Sequence, residues 1–244
     1  MVFTSFKSLE DVDKPGFMPL SWHPKNYGQV FHDISFATYY LNSFLVAAWV
    51  TLLTVFTSAM AAFAFARLKW RGRDLVFLLY LGTMMIPGVV TMIPNYAIVV
   101  NLHLLDSYTG LIVPASFSAF GTFLLRQFMQ SVPKALDEAA ILDGASPWVV
   151  FWDVIMPISK AGLAALAILT FLGNYGSFYW PLLLVTSDQL RTLPVGLMTY
   201  DTNYGQQTNL LMAAGMMSLV PPLLIFIFGQ KQLIRGIQMG AVKG

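Results

Sequence analysis

Five long apolar stretches constrain this chain more than any other feature. They lie at residues 36–66, 75–100, 109–125, 162–185 and 209–229, and none contains Asp, Glu, Lys or Arg. A helix that crosses lipid hydrocarbon needs about 20 mostly apolar residues, and each stretch meets or approaches that length. The runs are continuous rather than alternating over short segments, which favours helices over the strands of a barrel. Only 11% of the 244 residues are charged, whereas a soluble domain carries about 25%. The expected fold class is therefore an all-α membrane protein, a polytopic helical bundle with five spanning helices in this chain. Residues 1–10 (MVFTSFKSLE) lack the basic region and apolar core of a secretory signal, so insertion must come from the internal stretches.

Basic residues set the expected orientation. Arg67, Lys69, Arg71, Arg73, Arg126, Lys134, Lys160, Lys231, Arg235 and Lys243 would share one side if every stretch spans. Lys7, Lys14, Lys25 and Arg191 would share the other. Ten against four places the first group in the cytoplasm, by the positive-inside rule. The expected organisation is then an extracytoplasmic segment at 1–35 and a transmembrane domain at 36–230 with a cytoplasmic loop at 126–160. A cytoplasmic C-terminal tail follows at 231–244.

Several function classes are disfavoured. There are no cysteines for disulfides, thiolate ligands or thiol catalysis. The net charge of +2, without a long basic run, does not suggest nucleic acid. His23, His32 and His103 are far apart and outside the stretches, so no metal site is expected. No Gly-rich Lys-Ser/Thr loop is present to cradle ATP phosphates. A self-contained secondary transporter would show repeat symmetry and an intramembrane carboxylate, and an intramembrane enzyme would need a nucleophile–base pair or metal cluster at membrane depth. The stretches carry none of these groups. Pro87, Pro94, Pro114, Pro221 and Pro222 fall inside the stretches. Each removes a backbone donor, giving either kinks that serve packing or bends that line a pathway.

The segment 126–160 is the most informative. It carries Arg126, Lys134, Asp137, Glu138, Asp143, Asp153 and Lys160, and one charged residue at the bilayer centre costs about 2.5–3.5 kcal/mol. The segment must therefore lie outside hydrocarbon despite Trp148, Phe151 and Trp152. Pro133 suits a first helical turn, Gly144 a helix stop, and Pro147 the start of a second short helix ending near Pro157. Ala135, Ala139 and Ala140 offer a small-residue face that lets another protein approach the backbone, with carboxylates beside it to bond across the contact.

Here the chain resembles the permease subunits of ABC importers. Glu138-Ala139-Ala140, three residues, Gly144, nine residues, then Val154-Ile155-Met156-Pro157 follows their cytoplasmic "EAA" loop, with Val154 and Met156 in place of Ile and Leu. Other segments are similar to the carbohydrate branch, of the maltose-permease type. These are Thr4-Ser5-Phe6-Lys7, Pro24-Lys25-Asn26-Tyr27, Met85-Ile86-Pro87, Ile93-Pro94, Gly236 and the terminal Gly240-Ala241-Val242-Lys243-Gly244. The resemblance implies that the loop docks on an ATP-binding subunit dimer through Ala135, Glu138, Ala139, Ala140, Asp143, Gly144 and Pro157. ATP and Mg would be bound by that partner, with no cofactor on this chain and no catalytic residue. A second related permease, an extracytoplasmic solute-binding protein and membrane lipids complete the expected partners. The setting would be a bacterial-type inner membrane. Such permeases usually have six spanning helices, and Met1-Val2-Phe3 resembles the end of a missing first one. Either it is encoded in frame upstream of Met1, or it has been lost.

The expected solute is a sugar or sugar-like molecule, whose C–H faces and hydroxyls suit aromatic and neutral polar groups. Asn174, Tyr175, Ser177 and Tyr179, with Asn95 and Tyr96, are the candidate pathway residues. Phe178 and Trp180 add aromatic surface beside them. Tyr and Trp near helix ends also form interfacial belts. The family's Trp-Asn pair ahead of Phe-Leu-Trp-Pro is replaced here by Tyr175-Gly176-Ser177 before Phe178-Tyr179-Trp180-Pro181.

Overall fold

A computed structural model describes residues 1–202 and 207–241, apart from the side chains of 201–202 and 235–241. Among the described residues every regular element is helical. The principal helices are α1 (Lys25–Asp33), α2 (Phe36–Ala66), α3 (Arg73–Gly82), α4 (Gly88–Asn101), α5 (Tyr108–Ile112) and α6 (Ala119–Ser131). They continue as α7 (Lys134–Leu142), α8 (Pro147–Ile158), α9 (Lys160–Tyr175), α10 (Tyr179–Leu184), α11 (Thr208–Ser218) and α12 (Val220–Ala241). Two helical runs are long and apolar enough to cross a membrane, Phe36–Ala66 and Thr208–Ile234, and the number rises to five if each bent pair counts as one span. The expected all-helical, five-span class holds in that form.

Helix α2 is uninterrupted because its 31 residues include neither Gly nor Pro. At about 1.5 Å per residue it runs about 46 Å, longer than a hydrocarbon core of about 30 Å. Two other spans are broken where the sequence withdraws a backbone donor. The expected single span at 75–100 turns by 100° between Arg73–Met85 and Gly88–Asn101, with Pro87 in the gap. The third span bends by 44° between Tyr108–Ser116 and Ala119–Ser131, just after Pro114. Carbonyls at that break are met by hydroxyls of α2. Thr57 Oγ1 donates to the carbonyl of Ser116 at 2.9 Å, Thr54 Oγ1 to that of Ala115 at 3.4 Å and Ser58 Oγ to that of Ser118 at 3.5 Å. Irregular backbone in a membrane persists where neighbouring side chains re-satisfy it in this way.

Two expected spans need correction. The stretch 162–185 is not one helix, because α9 stops at Tyr175 and α10 begins at Tyr179. Gly173-Asn174-Tyr175-Gly176-Ser177 explains the stop. Two glycines weaken the helix, Asn and Ser favour turns, and the Ser177 N–H donates to the Asn174 carbonyl at 3.1 Å. At the other end, α12 does not stop near Gly229 but continues to Ala241, so the segment expected as a tail is helical over 231–241. Pro221 and Pro222 sit in its first turn, where missing donors are harmless. Residues 242–244, the end of the family-like terminus, lie outside the described residues.

The chain divides into two compact units. The first comprises Met1–Ala47, Val99–Leu111 and Gly173–Ile225; the second comprises Ala48–Ile98, Ile112–Leu172 and Phe226–Gly244. In the first, the N-terminal segment is folded. Asn26 Nδ2 donates to the carbonyls of Ser5 and Lys7, both at 2.9 Å, and Phe6 packs near Trp22 and Tyr27. The start of α2 holds the connection after α10. Asn42 Nδ2 donates to the carbonyls of Gln189 (2.8 Å) and Arg191 (2.9 Å), and Tyr39 Oη donates to Asp188 Oδ1 at 2.5 Å. Asp106 clamps the turn after α10 by accepting from the Thr186 N–H (3.1 Å), the Ser187 N–H (3.0 Å) and the Ser187 hydroxyl (2.9 Å).

A candidate coupling surface

The second unit contains the charged segment singled out from sequence. Its core joins Ala59, Ala62 and Phe63 of α2, Leu125 and Met129 of α6, Val150, Phe151 and Ile155 of α8, and Leu166 of α9. Phe151 supplies the keystone ring. It is buried and meets Phe63 edge-on at a centroid distance of 5.2 Å. The α7–α8 hairpin is thus fastened to membrane helices through apolar packing.

Helix α7 is bounded by local chemistry. Pro133 is its N-cap rather than an internal residue, a place where its missing N–H costs the helix no bond. At the far end Gly144 adopts φ +83°, its N–H donates to the Ile141 carbonyl at 3.0 Å, and the Ala145 N–H donates to that of Ala140 at 2.9 Å. Those two bonds define a Schellman stop, which needs a left-handed residue after the cap. Helix α8 starts with Ser146, whose hydroxyl accepts from the Val149 N–H at 3.4 Å, and Pro147 follows in its first turn. Residues Val150–Ile155 widen into a π-turn ahead of Pro157. Pro157 cannot donate to the carbonyl four residues back and its ring crowds it, so widening relieves the clash. The chain then turns by 76° into α9.

The structure separates the predicted face into outer and inner residues. Ala135, Glu138, Ala139, Asp143, Gly144 and Pro157 are exposed, whereas Ala140 is half-buried and packs inward with Ala145 on the core. Ala135 and Ala139, one helical turn apart, do share a face. Apolar side chains beside them are also bare: Leu142 is 88% exposed, Ile141 62% and Trp148 58%. This apolar edge was not singled out from sequence, although Ile141-Leu142 next to a helix stop could have signalled it.

Two arginines were read only as orientation signals and prove to have specific partners. Arg67 follows directly on α2 and is 4% exposed. Its Nη1 donates to Asp137 Oδ2 on α7 at 3.0 Å, and its Nη2 donates to the carbonyls of Met129 and Val132, the latter at 2.8 Å. Arg126 lies inside α6 rather than in a loop. Its guanidinium carbon stands 4.0 Å from the centre of the Phe77 ring, and its Nη2 is 3.8 Å from Asp74. A basic residue abutting an apolar run with no polar interval was the available sign.

The pathway candidates fall in both units. Asn174, Tyr175, Ser177 and Tyr179 belong to the first unit, around the break between α9 and α10. Tyr175 is buried and meets Tyr40 edge-on at 6.4 Å, Asn174 and Ser177 are half-buried, and Tyr179 is 70% exposed. Asn95 (exposed) and Tyr96 (half-buried) lie on α4 in the second unit.

Comparison with known proteins places this architecture. Residues 54–238 match the family described as "Binding-protein-dependent transport system inner membrane component". The arabinooligosaccharides transport system permease protein AraQ of Halalkalibacterium halodurans is 32% identical over 249 residues, covering 100% of this chain and 89% of the relative. The sn-glycerol-3-phosphate transport system permease protein UgpE of Yersinia pestis is 36% identical over 218 residues, covering 88% and 76%. A crystal structure of a bacterial ABC transporter involved in the import of the acidic polysaccharide alginate contains a chain of the same fold. Its TM-score is 0.85 at 24% identity, over 94% of this chain and 87% of that one.

The fold and its charged hairpin define a multi-pass helical membrane protein of the transport class. The chain belongs to the binding-protein-dependent transport system inner membrane component family, and is a permease subunit of an ABC importer. A self-contained secondary transporter is not favoured by that membership.

Proposed function

We propose that the importer carries a sugar or sugar-like solute, and that α7 and the start of α8 dock on an ATP-binding subunit dimer. The relatives named for arabinooligosaccharides and for sn-glycerol-3-phosphate support the solute class. Both names describe polyhydroxylated molecules. The observation that carries the docking is the bare outer edge of α7. Ala135, Ala139, Ile141 and Leu142 leave small and apolar surface uncovered, with Glu138 and Asp143 beside them. An exposed apolar edge rimmed by charge marks a protein contact, while the Phe63–Phe151 packing ties α8 to α2.

ATP and Mg belong to the partner in this reading. Closure of the ATP-binding dimer would press on α7, and the hairpin would pass that displacement to α2, α6 and α9. The excess of basic residues on the hairpin's side puts it in the cytoplasm, with the C-terminus, and puts residues 1–35 outside. A second permease, and an extracytoplasmic protein that delivers solute, complete the assembly. A crystal structure of the alginate transporter with a pentasaccharide-bound periplasmic protein includes a chain of related fold (TM-score 0.65, 17% identity over 84% of this chain and 81% of that one). Asn174, Tyr175, Ser177 and Tyr179, with Asn95 and Tyr96, are the proposed pathway residues.

The absence of native cysteine makes the test direct. Ala139→Cys should react with a membrane-impermeant maleimide in inside-out vesicles and not in intact cells. It should also cross-link to a co-purifying ATP-binding subunit. Labelling from the outer face, or no ATP-binding subunit in the purified complex, would overturn the reading.

A further inference from the structure

Arg67 connects three segments of the second unit. It stands at the end of α2, and its three acceptors lie on two other segments. Asp137 belongs to α7, and the carbonyls of Met129 and Val132 terminate α6. Asp137 faces inward at 15% exposure, away from the bare edge of its helix. A single guanidinium therefore ties a membrane-crossing helix both to its neighbour and to the proposed docking helix.

The pairing is incomplete in an informative way. Arg67 Nε and Asp137 Oδ1 are buried and have no hydrogen-bond partner, and they belong to the two members of one ion pair. Side-on pairing would satisfy both, by using Nε and Nη2 together on the two carboxylate oxygens. Arg73 and Asp74 of this chain pair in that manner, with Nε–Oδ1 at 2.9 Å and Nη2–Oδ2 at 3.3 Å. In Arg67, however, Nη2 is committed to the carbonyls of Met129 and Val132. Side-on pairing with Asp137 takes one of the two Nη2 protons and so requires release of one α6 carbonyl. Retention of the carbonyls leaves Nε and Oδ1 bare. The side-on form would instead take Nη1 from its acceptor, so neither arrangement satisfies every donor of the guanidinium. Two competing sets of bonds around one packed element are what a discrete switch requires.

We propose that Arg67 is a positioning residue for import, which passes displacement of α7 to α2 by exchanging between these two arrangements. The carbonyl-bound form holds α6 with both Nη2 bonds and α7 with one Nη1 bond; the side-on form holds α7 with two bonds and loosens the tie to α6. The proposal rests on the reading of α7 as the contact for the ATP-binding subunit. It goes further in assigning the step between that contact and the membrane.

Arg67→Lys and Asp137→Asn separate this role from a plain staple. Lysine keeps the charge but lacks the planar fork, so it cannot pair side-on. Asparagine keeps an acceptor oxygen without charge. The complete importer, reconstituted in nanodiscs, is assayed for bound ATP-binding subunit, basal ATPase and the ATPase stimulated by liganded solute-binding protein. Assembly and basal ATPase should stay within about twofold of wild type in both variants, while stimulation falls about tenfold, the scale of substitutions inside a coupled network. Wild-type stimulation in both variants would overturn the proposal. So would a parallel fall of assembly, basal rate and stimulation, the mark of a staple. Absence of ATP-binding subunit from the wild-type preparation would overturn the docking reading and this proposal together, a result that needs no variant.

Discussion

Gly144 offers the sharpest test of what the end of α7 is for, because its two possible duties predict different orders of variants. Its φ of +83° is strained for residues with a Cβ, at about 1–2 kcal/mol for most and less for Asn. A Cβ built there meets nothing within 4 Å, so strain is the whole cost of Gly144→Ala in this chain alone. One kcal/mol lowers the ratio of intact to opened Schellman stop about fivefold. Gly144→Asn costs only a few tenths of that scale by conformation, yet adds a bulkier side chain at an exposed point. If Gly144 only ends a helix, Asn should transport better than Ala. If a partner approaches that open space, Asn should fail although its helix is intact. We expect the second order. Solute uptake by Gly144→Asn, normalised to membrane level, should drop at least as far as that of Gly144→Ala. Amide exchange in α7 should remain closer to wild type. Wild-type uptake by the Asn variant, with reduced uptake by Ala, would refute the docking argument at this position.

Three further outcomes follow from other parts of the fold. A methyl group at Gly196 would overlap the ring of Tyr39, which is buried and bonded to Asp188. Gly196→Ala should therefore destabilise the first unit by about 1–3 kcal/mol, read as an earlier thermal transition in detergent. Thr57→Val removes the bond to the Ser116 carbonyl at the break after Pro114 and should cost about 0.6–1.7 kcal/mol, the measured range for such bonds in membranes. Hydrogen exchange should rise at residues 114–118 and not elsewhere. Asp106 lies outside the spans, and its carboxyl is held below the ordinary carboxylate range chiefly by the Ser187 N–H. Its clamp on the 186–187 turn is therefore fully present above the unfolded-state value of about 3.9 and is lost as pH falls through the lower folded value. Proteolysis of that turn should stay flat from about pH 8 to 5 and rise only below about pH 4. Asp106→Asn should flatten the profile.

The hairpin of α7 and α8 was legible because its boundaries are local. Pro133, Gly144 and Pro147 each act within a turn of their own position, and the structure puts helix ends within a residue or two of them. The breaks in the spans were half legible. Pro87 and Pro114 announce a lost donor, but whether a helix kinks or turns by 100° depends on what satisfies the freed carbonyls. At the break after Pro114 the partners are Thr54, Thr57 and Ser58, about 60 residues earlier. Their spacing along α2 already draws a hydroxyl stripe down one helical face. The stripe is visible in sequence, but the backbone it serves is not. The break after Tyr175 was missed for a different reason. Hydropathy weighs Gly and Tyr as compatible with a span, whereas Gly173 and Gly176 weaken the helix regardless of lipid.

Arg67 marks a limit of the positive-inside rule. Next to an apolar run, an arginine satisfies the positive-inside rule wherever its side chain points, so the rule cannot distinguish a solvated cation from one held by three acceptors. The distinction lies in the length of the polar interval. Lys69, Arg71 and Arg73 stand clear of Ala66, and Lys69 and Arg71 are exposed, while Arg67 adjoins the helix and is buried. A cation with no room to reach water must find carbonyls or a carboxylate in the protein. The nearby candidates are then the termini of packed helices, which are rich in unpaired carbonyls. By that reasoning the end of α6 was a foreseeable partner. Asp137 was not, because it needed the fold to bring α7 beneath α2.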